Sequence, residues 1–320
     1  MSEINPFLYT AGPVDFNLQL NKQNNYWRHY RVDFPVAATN YFPGGKIARG
    51  EYFEPIGIKN VPLVIMIHGW GDRSILPLKW MIDGLVKRGN ACFVLYLPFH
   101  TNSLPPEMKT RLSRLTQDEW FTGYQTAVTD VRRILDWAGE NKKINRNQIS
   151  LISLSLGAIV GSIAMGIDTR IKAGVFIVHG GNTGKIMQTN GVSKFSNKYR
   201  LPLNIYQENQ KNYANYLYEV RQKGIDNVLP AQRNYLIDPL TYAPMLKGRQ
   251  VLMINARWDE IFPRESSADF RQACGDCEQI VLPASHTGVW IWYPIIVHRI
   301  NQFLVLSYHN RINIEQEVSR

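Results

Sequence analysis

Cysteine is scarce in this chain: three in 320 residues (Cys92, Cys274, Cys277). That number excludes a disulfide framework. Cys92 lies in an apolar, strand-like run and reads as core. Cys274-Gly-Asp-Cys277 has the CxxC spacing, but one such pair supplies half of the four ligands a structural zinc needs, so it reads as a surface turn. No His-Glu-x-x-His or other clustered metal spacing occurs, and no metal or organic cofactor is expected. Long apolar runs are missing too. The longest candidate, Val289 to Tyr308, is interrupted by Pro294, His298, Arg299, Asn301 and Gln302, so no membrane-spanning segment is expected. The N-terminus lacks a basic start followed by an apolar stretch, which argues against a signal peptide. A cytoplasmic protein is the expectation.

Dense basic blocks are also absent. The formal net charge is +10, but Lys and Arg are scattered, which reads as solvated surface rather than a nucleic-acid footprint. What is present is ordinary globular composition, 45% hydrophobic and 12% aromatic with 19% charged residues. That is enough for a sizeable core; the length allows one large domain or two small ones, and a single domain over residues 1–320 is the expectation.

The chain is organised around Ile149-Ser-Leu-Ile-Ser-Leu-Ser155-Leu-Gly-Ala-Ile-Val160. An apolar run meets a Ser-Leu-Ser-Leu-Gly turn, and a second apolar run with small residues follows. This reads as a buried strand, a sharp turn and a helix, with Ser155 at the apex. A serine on a strained strand-to-helix turn exposes its Oγ as a nucleophile. Small residues are needed two before and two after it, where the backbones pass closely. Gly157 meets the second requirement, and Ser153 stands where glycine is usual. The alternative is a strand end with a serine helix cap.

Residues 1–30 are polar with sparse aromatics and are expected to lie over the surface. Arg31–Thr39 and Arg49–Glu54 read as antiparallel edge strands joined at Pro43-Gly44-Gly45. Val61–Ile67 is a continuous apolar run, as a strand covered on both faces should be. It ends in His68-Gly69-Trp70-Gly71. A helix around Trp80–Val86, a strand Ala91–Leu97, a Pro-rich loop carrying His100, and a helix Glu119–Trp137 follow. Beyond the Ser155 turn come a strand Ala173–Val178 and His179. This strand–helix alternation implies a doubly wound parallel sheet whose strand ends carry the site. Residues 181–247 break the rhythm and read as a helical insertion, a lid. At its start, Gly180–Lys185 fails as a phosphate loop, because His179 and Ile186 stand where glycine and Ser/Thr belong. The sheet resumes at Val251–Asn255, a helix follows near Ser266–Ala273, then a strand Gln279–Leu282 and a final helix.

A serine nucleophile needs a base, and the base needs an acid to orient it. Asp259 follows one late strand and His286 the next. With Glu260 beside it as a rival acid, the chain order is Ser155, Asp259, His286, that of α/β-hydrolases. Over roughly Arg31–Tyr308 the chain resembles that superfamily. It is similar to bacterial esterase-like members related to dienelactone hydrolases and acetyl xylan esterases. The motifs are Asp238-Pro-Leu-Thr-Tyr242, Asn255-Ala-Arg-Trp-Asp-Glu-Ile-Phe-Pro263, His68-Gly-Trp-Gly71 and the serine turn.

The resemblance implies an α/β-hydrolase fold with antiparallel N-terminal edge strands and a helical lid. It also implies a carboxylesterase-type serine hydrolase for a small-molecule ester. Ser155 would be nucleophile, His286 base and acid, and Asp259 its orienter. The N–H of Leu156, with that of Trp70 or Gly69, would form the oxyanion hole. His68, in the oxyanion loop, and His100 and His179, at strand ends, are candidates to line the pocket, a structural role being the alternative for His100 and His179. Rivals are a thioesterase, lipase or peptidase of the same fold, or a non-catalytic binding protein. Oligomeric state is not legible in the sequence.

Overall fold

The computed structural model describes residues 5–37, 45–100, 109, 114–193 and 200–318. Among the described residues, nine strands form one sheet in the order β1-β2-β3-β5-β4-β6-β7-β8-β9. They are β1 (Asn17–Gln23), β2 (Trp27–Pro35), β3 (Ile47–Pro55), β4 (Val61–Ile67), β5 (Ala91–Tyr96), β6 (Ile144–Leu154), β7 (Ala173–Ile177), β8 (Gln250–Trp258) and β9 (Glu278–Ser285). From β5 through β9 every neighbouring pair is parallel, and β1, β2 and β3 join through antiparallel pairs.

Alternate residues of a strand point to opposite faces, and here both faces are apolar. On β4, Leu63, Ile65 and Ile67 enter one core while Val64 and Met66 enter the other. The first core is closed by α2 (Gln117–Glu140) and α3 (Leu156–Ile167), the second by α1 (Leu76–Lys87) and α6 (Tyr293–Val318). Helix α2 starts with a capping box in which Thr116 and Glu119 satisfy each other's backbone N–H. Among the described residues, one helical stretch, Gly288–Tyr308, is long and apolar enough to cross a membrane by length and composition. Its inner side (Val289, Ile296, Ile300, Phe303, Leu304) is buried in the second core.

The N-terminal region departs from expectation in part. Residues 5–16 lie over the surface, as expected, but Phe7 anchors them in the core. Phe7 is fully buried and meets Tyr242 edge-on. Its carbonyl accepts from Arg132 at 2.8 Å, and the Tyr9 hydroxyl donates to Asp136 at 3.0 Å. The edge strand β1 was not legible, and β2 begins at Trp27 instead of Arg31. Apart from Gly45, the expected turn at 43–45 lies outside the described residues. The stretch 181–247 is helical where described. It includes Thr183–Met187, Asn190–Ser193, α4 (Leu203–Lys223) and Pro239–Tyr242, and it holds no strand among the described residues. Helix α5 (Arg264–Ala273) then links β8 to β9.

Candidate active site

Ser155 ends β6 and begins α3 with φ 51° and ψ −116°, a conformation most side chains avoid. Two neighbours hold it there. Its N–H donates to Ile177 O at 2.9 Å, tying the turn to β7. At Gly157, any Cβ would collide with the carbonyls of Ile67 and His68, so only glycine lets the helix pass this close to β4. The departure at Ser153 is compensated across the turn. Its side chain occupies the space over Gly161, where an added Cβ would overlap the hydroxyl.

The other two residues arrive from β8 and β9. His286 Nε2 lies 3.0 Å from Ser155 Oγ. His286 Nδ1 lies 2.9 Å from both carboxylate oxygens of Asp259. The Asp259 and His286 side chains are 3% and 8% exposed, so water competes little for these bonds. Asp259 Oδ1 also accepts from the N–H groups of Ile261 (2.9 Å) and Phe262 (2.8 Å), which curls the loop around the carboxylate. Phe262 stacks parallel to the imidazole at 5.8 Å. With Nδ1–H donating to Asp259, Nε2 is the acceptor facing the serine hydroxyl, the tautomer a general base needs. Asp259 is therefore the acid that meets the ring. The rival, Glu260, takes another part of the same residue: its Oε2 accepts from His286 N–H at 3.0 Å. Nothing in the sequence signals that contact, because it is made to a main-chain N–H that every non-proline residue carries.

The loop after β4 passes over the serine. A Cβ on Gly69 would sit 3.2 Å from Ser155 Cβ. His68 is buried and does not open to solvent. Its Nε2 accepts from Leu97 N–H at 3.1 Å, which puts the proton on Nδ1, 2.7 Å from Gly69 O. The Ser74 hydroxyl lies within hydrogen-bond distance of the carbonyls of Gly69 (2.8 Å) and Gly71 (2.6 Å). Through these contacts His68 acts as a clamp between the loop and the end of β5. Leu156 is the first residue of α3, so its N–H has no intrahelical acceptor. The ring of Trp70 is half-buried, 5.2 Å from Trp120 and 6.1 Å from Phe99.

The remaining candidate histidines separate. His100 is buried and stacks on Tyr96 at 4.7 Å. Tyr96 in turn donates its hydroxyl to Glu51, which also accepts from Lys79 at 2.7 Å. Burial pushes the Glu51 carboxyl up, but the hydrogen bonds from His29, Lys79 and Tyr96 outweigh it and bring it down to about 2. His179 is fully buried among Phe176, Phe262 and Phe270. Neither of its ring nitrogens has a hydrogen-bond partner among the described residues. Burial pushes it down to about 3, so it is neutral. It forms part of the core beneath the site and does not face solvent. The cysteines are free thiols, with Cys274 and Cys277 at the turn between α5 and β9.

No protein-family model and no curated protein matches the sequence. Solved structures do. An acetyl xylan esterase from Paenibacillus sp. R4 aligns at TM-score 0.62 and 17% identity, over 92% of this chain and 89% of the other. Acetyl xylan esterase 1 from Thermoanaerobacterium sp. aligns at 0.60 and 14% identity, over 93% and 89%. A cold-adapted esterase from an Arctic intertidal metagenomic library aligns at 0.57 and 16%, over 91% and 99%. At these identities the likeness speaks to architecture, and with the sheet order and strand directions it identifies this protein as having the α/β-hydrolase fold.

Proposed function

We propose that this protein is a serine hydrolase that cleaves carboxylic esters through an acyl-enzyme. One observation carries the reading: an unbroken line from Ser155 Oγ to His286 Nε2 at 3.0 Å and from His286 Nδ1 to Asp259 at 2.9 Å. Its esterase neighbours in architecture support the choice of ester over other acyl compounds.

In this mechanism Ser155 Oγ attacks the ester carbonyl carbon as His286 Nε2 takes its proton. Asp259 stabilises the imidazolium and does not itself accept the proton. The carbonyl oxygen becomes an oxyanion held by the N–H of Leu156 and that of Trp70 or Gly69. Removing one such donor typically costs about 3 kcal/mol in the transition state. Collapse expels the alcohol, which leaves with the proton from His286. Water then gives its proton to His286 and attacks the acyl carbon, and as that intermediate collapses His286 returns the proton to Ser155 Oγ, freeing the acid and restoring the serine.

The substrate is a small ester with a short, medium or aromatic acyl group, a choice favoured by the Trp70–Trp120–Phe99 aromatic cluster behind the loop after β4. The whole chain works as one unit with 181–247 as its lid, in a cytoplasmic setting and without a nucleic-acid partner. Contact between insertion and site supports the lid role, since Gly191 N–H donates to Glu260 O at 3.1 Å.

Covalent labelling with a fluorophosphonate, read by mass spectrometry, tests the reading. The probe should attach at Ser155 in the wild type and nowhere in Ser155→Ala. A folded wild type that stays unlabelled and hydrolyses no p-nitrophenyl ester overturns it.

A further inference from the structure

Adjacent acids on the loop after β8 reach one histidine from two directions. Asp259 meets the ring of His286, and Glu260 accepts from its main-chain N–H at 3.0 Å. We infer that Glu260 is a positioning residue, fixing the main chain of His286 so that the ring held by Asp259 points at Ser155. The inference rests on the hydrolase reading for its kinetic arm only.

Holding the ring alone does not fix the base. The imidazole swings about its side-chain torsions and also moves with the short loop between β9 and the turn at Gly288. Asp259 and Phe262 restrain the torsions, through two contacts at 2.9 Å and a parallel stack. Glu260 restrains the backbone from which they project. A carboxylate accepting from an amide N–H is a charge-assisted bond, stronger than its neutral counterpart. A displacement of about 1 Å at a reacting group costs on the order of a hundredfold in rate, so the backbone anchor contributes to the rate alongside the ring's partner.

Glu260 is itself held in place. Its carbonyl accepts from Gly191 N–H at 3.1 Å, and a Cβ on Gly191 would collide with that carbonyl. Thr189 Oγ1 reaches Ile261 O at 3.5 Å. The start of the lid insertion thus packs directly on the acid loop. Glu260 passes that contact to the histidine without touching the ring.

The experiment compares Glu260→Gln and Glu260→Ala in the full chain. Glutamine keeps an acceptor oxygen for His286 N–H; alanine does not. Glu260 is exposed, so both variants are expected to fold. With p-nitrophenyl acetate, Glu260→Ala should lose kcat by about tenfold, the size of one hydrogen bond to a charged group, with KM within about twofold. Glu260→Gln should recover kcat to within about threefold of wild type. The low-field proton NMR signal of the His286 Nδ1–H bonded to Asp259 should broaden in Glu260→Ala and stay sharp in Glu260→Gln.

Wild-type kcat and an unchanged signal in Glu260→Ala overturn the inference. So does a loss carried by KM, or a Glu260→Gln variant as impaired as the alanine. The NMR comparison needs no turnover. If wild type proves unlabelled and inactive, the hydrolase reading fails while the resonance alone still decides the role of Glu260.

Discussion

Two histidines follow strands β7 and β9, with β8 between them, and the rings of both lie near that of Phe262. Its ring lies 5.8 Å from that of His286 and 6.2 Å from that of His179. Both histidines are buried, and both follow a strand of the same sheet. His286 has a partner at each ring nitrogen, Asp259 and Ser155, while His179 has none at either among the described residues. The two strand turns compare in the same way. Ser155 and Val178 both have positive φ, 51° and 46°, yet only the first carries a side chain suited to chemistry. Burial, strain and position at a strand end are therefore shared by site and core alike. Complementary partners at hydrogen-bond distance are what distinguish the site.

The largest effect that would break this comparison is loss of the partnered ring. His286→Gln should lower kcat on an ester by about 10⁴-fold or more, by analogy with removal of a triad base, while leaving the folded core intact. Steady-state kinetics beside a thermal melt checks it. If His286→Gln keeps wild-type turnover, the base lies elsewhere and the contrast collapses.

The unpartnered ring should instead register in stability. His179 titrates near 3 when folded, against an ordinary value of 6.5. A base held below its unfolded value is protonated first in the unfolded chain. Stability is therefore complete above about pH 6.5 and falls as pH drops through this window, by up to about 1.4 kcal/mol per unit. His179→Phe, in a cage that is already aromatic, should remove this contribution. Urea unfolding at pH 7.5 and pH 5 should show a narrower gap for the variant than for wild type. An unchanged gap would mean that the imidazole is not neutral in the fold.

The smallest effect concerns the turn itself. The Ser153 hydroxyl is buried and has no partner among the described residues. Ser153→Ala should add about 1 kcal/mol of stability by deleting an unsatisfied polar group, with kcat unchanged. A loss of stability would show that the hydroxyl has a partner, a bound water for example.

Much of this was legible before folding. The apolar runs of β4 to β8 announced themselves because parallel strands buried on both faces are predominantly apolar. The turn around Ser155 was readable because close backbone passage restricts the residues beside it. Asp259 and His286 were readable because a doubly wound sheet delivers its loops to one edge in chain order. Elsewhere the signal was too thin. Strand β1 has Leu18 and Leu20 alternating with polar residues, and its pairing is supplied by the backbone of β2. Phe7 looked like a stray aromatic in a polar segment, and its burial depends on Tyr242, far along the chain.

By itself, the sequence determined the sheet's interior, the turn at Ser155 and the order of the three candidate site residues. These depend on local pattern and on short-range backbone constraint, which a linear string records. Tertiary structure alone decided which histidine receives partners, that His68 clamps a loop while His179 fills a core, and that Asp259 holds the ring of His286 while Glu260 holds its backbone. Each is a matter of distance between groups remote in sequence, where a shift of about 1 Å separates a hydrogen bond from none, and no residue type encodes a distance.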